Sequence, residues 1–173
     1  MTMTMTMTTR MTSAELTVRP ALPADAAAIA RVHVASWRET YSRLVPPGAL
    51  DDLDVGARAE RWAQIIADDV TDVWIAERSG EVLGWCSTGP GRGDEAPRAL
   101  ELEGIYVLAA AHGSGAGQAL LDAAIGDTPA FLWSAEDNPR AQAFYRRNGF
   151  VDDGTRSEQV LHGHPVRIAR FVR

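Results

Sequence analysis

From Leu100 to Glu103 apolar and polar residues alternate, and Ile105-Tyr106-Val107 follow as an aliphatic and aromatic run. This reads as a strand beside a core. Ala116, Ala119, Leu120, Ala123 and Ala124 recur at helical spacing and predict one face of a helix that closes near Gly126. Upstream, Leu16 to Arg19 reads as a short strand stopped by Pro20. Pro23 and Asp25 open a helix whose stripe is Ile29, His33, Trp37 and Tyr41, broken by Pro46-Pro47-Gly48. A second helix runs from about Gly56 to Ala67, with Ala59, Trp62, Ala63 and Ile66 on its apolar side. Val73 to Ala76 and Val82 to Cys86 form a hairpin about Ser79-Gly80, and Gly89 to Pro97 is a loop.

Ala130 to Ser134 is the next strand. Asn138 and Pro139 supply the N-cap and first position of a helix that presents Ala141, Phe144 and Tyr145 on one face and closes at Asn148-Gly149. Phe150 to Arg156 and Val166 to Val172 are a final strand pair. The order is one strand, two helices, three strands, one helix, one strand, one helix and two strands. That is an α/β chain: a mixed sheet with helices on both faces.

Gly113, Gly115 and Gly117 remove side chains where the helix after the central strand begins. A helix start presents unpaired N–H groups and the positive end of its dipole. Glycines there let a phosphate approach the backbone, so the stretch reads as a pyrophosphate cradle. Gln118 follows the last glycine where a triphosphate-binding loop would have lysine, and His112 stands where a dinucleotide fingerprint would need its first glycine.

At 173 residues the chain suits one domain with a full core, taken as 14–173, with Met1 to Ser13 a disordered or extension tail of alternating Met and Thr. A net charge of −6 argues against wholesale nucleic-acid binding. No apolar run is long enough to span a bilayer, so no membrane role is expected. Cys86 is the only cysteine, which fits a reducing cytoplasm and excludes an internal disulfide.

Ile105-Tyr106-Val107, His112 through Gly117 and Asn138 through Phe150, with the opening Val18-Arg19-Pro20-Ala21 and Ala35 through Tyr41, resemble the GCN5-related N-acetyltransferase (GNAT) superfamily. The resemblance covers nearly the whole chain after Ser13. It implies a mostly antiparallel mixed sheet, splayed so that acetyl-CoA lies between the central strand and the strand ending at Ser134. It also implies that the backbone of Ile105, Tyr106 and Val107 pairs with the pantetheine arm as an added strand would. His112, Gly113, Ser114, Gly115, Ala116, Gly117 and Gln118 would hold the pyrophosphate, and Asn138 would cap its helix, bond the pantetheine, or do both. Arginine or glutamine is usual in the family where His112 stands, and a histidine's donor capacity depends on its protonation.

Acyl transfer from a thioester to an amine needs no enzyme nucleophile and no metal. The amine must lose a proton, the thioester oxygen must be polarised and the thiolate should be protonated. By the period of two, Glu101, Glu103, Ile105 and Val107 share one side of the strand. A carboxylate flanked by Ile105 and tryptophans would suit proton abstraction, so Glu103 is the candidate base, with Glu101 competing. Tyr145 is the candidate acid; its place in the helix after Asn138 matches the family's. Cys86 reads as core rather than as a nucleophile. Trp37, Tyr41 and His33 would wall the acceptor pocket, the first two by cation–π contact with an amine, with core packing as the competing role. The expected activity is transfer of acetyl to a small-molecule primary amine. The alternatives are a protein N-terminal or lysine acceptor, for which Asp94 and Glu95 offer an acidic loop, and an acyl-CoA sensor without turnover. The last two strands offer an edge on which a second copy could form a homodimer.

Overall fold

The computed structural model describes residues 15–93 and 95–173. The tail reading for Met1 to Ser13, and the part given to Asp94, fall outside the described residues.

In chain order the elements are β1 (Thr17–Pro20), α1 (Ala26–Tyr41), α2 (Val55–Asp68), β2 (Asp72–Arg78), β3 (Glu81–Pro90), β4 (Leu100–Val107), α3 (Ala116–Ala124), β5 (Ala130–Ala135), α4 (Pro139–Arg147), β6 (Val151–Leu161) and β7 (His164–Val172). The strands form one seven-stranded sheet in the order β1-β2-β3-β4-β5-β7-β6. Every neighbouring pair is antiparallel except β4 and β5. The mixed, mostly antiparallel sheet and the order of elements are those expected from the sequence.

Side-chain alternation sorts the strands into two packed faces. Val73, Ile75 and Trp85 bury against Ile29 and Val32 of α1 and Trp62 of α2. Ala76, Cys86, Leu102 and Leu132 face the other way, against Leu120 and Leu121 of α3 and Tyr145 of α4. The turns after α1 bury Val45, Leu50 and Leu53 against Ala135, Leu161 and Val166.

Local signals explain the ends. Asp54 caps α2, its Oδ1 accepting from Ala57 N at 2.6 Å, and Asn138 caps α4, its Oδ1 accepting from Ala141 N at 3.1 Å. Each such cap is worth about 1 kcal/mol. Ser79-Gly80 turns β2 into β3 with both residues at positive φ, as a tight hairpin of this hand requires.

Several expectations need correction. The first helix does not begin at Pro23: Pro23–Asp25 is a 3-10 turn, where Asp25 accepts from Leu22 N and holds Arg19 through both oxygens. The strand expected to stop at Cys86 continues to Pro90, which shortens the following loop. On α3, Ala123 is exposed and Leu121 is buried instead. The strand expected to end at Arg156 continues to Leu161 and turns back through His162 and Gly163, both at positive φ. This last hairpin reaches the cleft described next.

Candidate active site

Two irregularities in β4 make the site. Against β3, Ser87 lies opposite Gly104 and Thr88 opposite Leu102, so Glu103 has no facing residue. This bulge reverses the alternation of side chains along the strand. Glu101 and Glu103 line a cleft together with Tyr106, while Ile105 and Val107 pack on the opposite face against the α3–α4 core. The expectation that the two glutamates share a side with Ile105 and Val107 is therefore corrected, and Ile105 is not the apolar flank of Glu103.

The second irregularity is the parting of β4 from β5. Their pairing covers only Leu100 with Ala130, Glu101 with Phe131 and Leu102 with Leu132. Beyond Leu102 the strands splay. Leu108 N donates to Leu83 O of β3, so by alternation Tyr106 also turns its amide toward β3 while Ile105 and Val107 turn theirs to the open side. Of the three backbone amides expected to pair with a pantetheine arm, Tyr106's is thus directed elsewhere. The Tyr106 side chain instead enters the cleft, its hydroxyl 2.8 Å from that of Tyr41. Burial, first, and then the neighbouring Tyr41 hold the Tyr106 phenol well above its ordinary pKa.

The open amides lead to the glycine turn. Gly113 and Gly115 have φ of 79° and 88°. Among the described residues a Cβ built on either would meet nothing within 4 Å, so they leave the outer side of the turn bare. Among the described residues the amides of Gly113, Gly115, Gly117 and Gln118 find no backbone acceptor. That is the donor set and the clearance a pyrophosphate requires. Ser114 Oγ accepts locally from Ala116 N, and Gln118 directs its side-chain amide to Asp122 and Asn148. His112 turns its Nε2 back to Val107 O at 3.0 Å. In that arrangement Nε2–H is the donor, so Nδ1 can donate to a phosphate only when the ring is protonated.

The cleft itself has a volume of about 510 Å³ and is walled by α1, α2, β3, β4, β5 and the β6–β7 hairpin. Glu101 is 3% exposed and accepts from Arg92 three times, from N at 3.2 Å, Nε at 3.0 Å and Nη2 at 2.7 Å. Glu103 is half-buried and meets the same guanidinium only at 3.7 Å. Nothing in the sequence pattern pointed to Arg92, which lies in a loop nine residues before Glu101.

His33, Trp37 and Tyr41, the stripe of α1, all reach the cleft, joined by Trp62 and Trp85. Nδ1 of His33 accepts from Trp62 Nε1 at 3.1 Å. Burial, with a smaller contribution from the nearby Arg58, lowers the His33 pKa to about 3, so the ring is neutral with its proton on Nε2. Arg58 stands 5.3 Å from the centre of the Trp37 ring, so this chain already supplies that face with a cation.

Tyr145 is 7% exposed, packed beside Phe150 and Phe171 and near Cys86. Burial drives its phenol pKa up, so it keeps its proton at neutral pH. Cys86 is fully buried and its thiol pKa is raised by burial and by Glu103, which is the core role expected of it. Among the described residues no helix is long and apolar enough to cross a membrane.

Comparison with known proteins gives one consistent result. A relative from Bacillus subtilis (strain 168), named as an uncharacterized N-acetyltransferase, is 34% identical over 165 residues, covering 87% of this chain and 93% of its own length. A probable N-acetyltransferase of Mycobacterium tuberculosis is 28% identical over 149 residues, covering 83% and 84%. Among solved structures, a ribosomal-protein-alanine N-acetyltransferase from Brucella melitensis superposes with a TM-score of 0.69 at 25% identity, over 91% of this chain and 98% of its own. A putative acetyltransferase from Salmonella typhimurium, solved with acetyl-CoA, gives a TM-score of 0.67 at 23% identity, over 92% and 93%. Residues 32–150 match the Acetyltransferase (GNAT) family, so the chain belongs to the GNAT N-acetyltransferases, which transfer acetyl from acetyl-CoA to amine acceptors.

Proposed function

We propose that this enzyme acetylates the primary amine of a small molecule by direct attack on the thioester. The observation that carries the reading is the splay of β4 from β5 after Leu102, which leaves the Ile105 and Val107 amides unpaired between the glycine turn and the cleft holding Glu103. A cleft of about 510 Å³ is in the size range of small-molecule sites.

Acetyl-CoA supplies an acyl group already activated as a thioester. The amides of Ile105 and Val107 receive the pantetheine arm, and those of Gly113, Gly115, Gly117 and Gln118 receive the pyrophosphate. Glu101, clamped by Arg92, adds negative charge that attracts an incoming ammonium. Glu103, less tightly held, takes the amine proton. The amine nitrogen then forms its bond to the acyl carbon as the carbon–sulfur bond breaks. The Tyr145 hydroxyl returns a proton to the departing sulfur.

The likeness to the ribosomal-protein-alanine N-acetyltransferase favours a peptide N-terminus as the second reading. Calorimetry with coenzyme A tests the first half of the proposal. Following free thiol while the enzyme meets acetyl-CoA and a panel of small amines or N-terminal peptides tests the second. Absence of heat with coenzyme A and its esters would sink the proposal. Thiol release with peptides alone would replace its acceptor, and binding without thiol release across the panel would make the protein a sensor.

A further inference from the structure

Among the described residues, the Nε2 of His33, a residue 6% exposed, has no hydrogen-bond partner. Trp85 is 3% exposed, and its Nε1 likewise has none. Both rings line the cleft that holds Glu101 and Glu103, and they stack on one another with centroids 5.1 Å apart. A buried N–H without an acceptor is costly, and native structures rarely tolerate it without a purpose. The surroundings fix what these groups can do. Trp62 Nε1 occupies the acceptor lone pair of His33 Nδ1, which leaves Nε2 only as a donor. Indole Nε1 is always a donor. Gly104 keeps this arrangement open: a Cβ there would lie 3.3 Å from Trp85 Cη2 and 3.1 Å from Tyr106 Cε2.

The lining of the cleft therefore combines two kinds of polar group. One is the carboxylate pair Glu101 and Glu103, suited to an amine, with Arg92 holding mainly Glu101 and leaving Glu103 the freer of the two. The other is the neutral, buried N–H donor, carried by His33 and Trp85 and also by Trp37 Nε1, and suited to an oxygen that accepts without being protonated. We infer that the acceptor is an amine carrying a carbonyl-type oxygen, and that His33 and Trp85 select it by donating to that oxygen through Nε2–H and Nε1–H. The shared chemistry is an sp2 oxygen close to the amine, whether of a carboxylate or of an amide. This inference rests on the proposed acetyl transfer and narrows its substrate.

The test compares alanine, alaninamide and isopropylamine as acceptors for the wild-type enzyme and for His33→Phe and Trp85→Phe. Amines differ in basicity, so the informative quantity is each substrate's ratio of kcat/KM between wild type and variant. Removing a donor should lower kcat/KM for the oxygen-bearing acceptors by about tenfold or more relative to isopropylamine, with acetyl-CoA affinity unchanged. Loss for alanine alone would assign the donors to a carboxylate, and loss for alaninamide alone to a neutral carbonyl. Equal use of all three acceptors by the wild type, or equal losses in a variant, would overturn the inference and leave water as the partner of these donors. Tryptophan fluorescence titration of the same amines against the protein without coenzyme reads the preference independently of turnover. A preference there with no acetyl transfer would refute the enzymatic proposal while keeping the recognition. Trp85→Phe retains an aromatic ring, so it serves if His33→Phe does not fold.

Discussion

Acidification should destabilise this fold through His33 in a way that can be isolated. The ring has a pKa of about 3 in the folded chain, held down by burial and by Arg58. An unfolded histidine titrates near ~6.5. Below that value the unfolded chain binds a proton that the folded chain refuses, so stability is full above about pH 6.5 and falls as pH drops toward about 3. At about pH 5.5 the unfolded ring is roughly 10:1 protonated and the folded ring is not, a loss of about 1.4 kcal/mol. For a chain of this size that lowers Tm by roughly 3–6 °C. Ion-paired carboxylates such as Asp25 and Asp152 also have depressed pKa values, but they titrate at lower pH. The assay is thermal melting of wild type and His33→Phe at about pH 8 and about pH 5.5, read as a double difference so that the common groups cancel. The variant should be less stable at about pH 8, because Trp62 Nε1 loses its acceptor, at a cost of about 1–3 kcal/mol. Its further drop on acidification should be smaller than the wild type's by about 1.4 kcal/mol. Parallel pH profiles would refute the reasoning, because they would mean that the ring is hydrated and titrates normally.

Other outcomes follow from the same geometry. Glu103→Gln should lower kcat by about 10²–10⁴ with acetyl-CoA affinity retained, as loss of a general base requires; a kcat within a few-fold of wild type in steady-state assays would remove it from the chemistry. Tyr145→Phe should slow turnover and leave acetyl-CoA binding by calorimetry nearly intact, whereas lost binding would make Tyr145 a packing residue. With His112 Nε2 committed to Val107 O, His112→Arg, whose fork of donors can reach phosphate oxygens, should lower KM for acetyl-CoA in initial-rate measurements; an unchanged KM would take the side chain at 112 out of phosphate binding. Gly84→Ala should cost about 1–3 kcal/mol in chemical denaturation, because its Cβ would stand 2.8 Å from Tyr106 O and 2.9 Å from Val107 Cγ2.

Much of this molecule is local, and what is local could be read along the chain. Alternation from Leu100 to Glu103 and the apolar run after it marked β4 at Leu100–Val107, the Asn138-Pro139 pair marked the start of α4, and Gly113 and Gly115 marked a loop, which the structure turns at positive φ. The recurrence of Ile29, His33, Trp37 and Tyr41 put His33, Trp37 and Tyr41, which line the cleft, on one helix face with the core residue Ile29, because residues four apart on a helix share a face. The glycine turn with its flanking strand and helix also carried the family resemblance.

Tertiary structure decided what the periodicities could not. A bulge depends on how two strands pair, so only the partner β3 could show that Glu103 is the extra residue and that the faces exchange there. Likewise the splay after Leu102 is a property of two strands, and it is what turns the Ile105 and Val107 amides into free donors. Arg92 reaches Glu101 from a loop, and Trp85 comes from β3, so neither could be assigned to the site by spacing. His33 shows the division most clearly. Its helix face followed from its neighbours in sequence, but its neutrality, its tautomer and its free Nε2–H follow from burial and from Trp62 twenty-nine residues away, which no periodicity along the chain records.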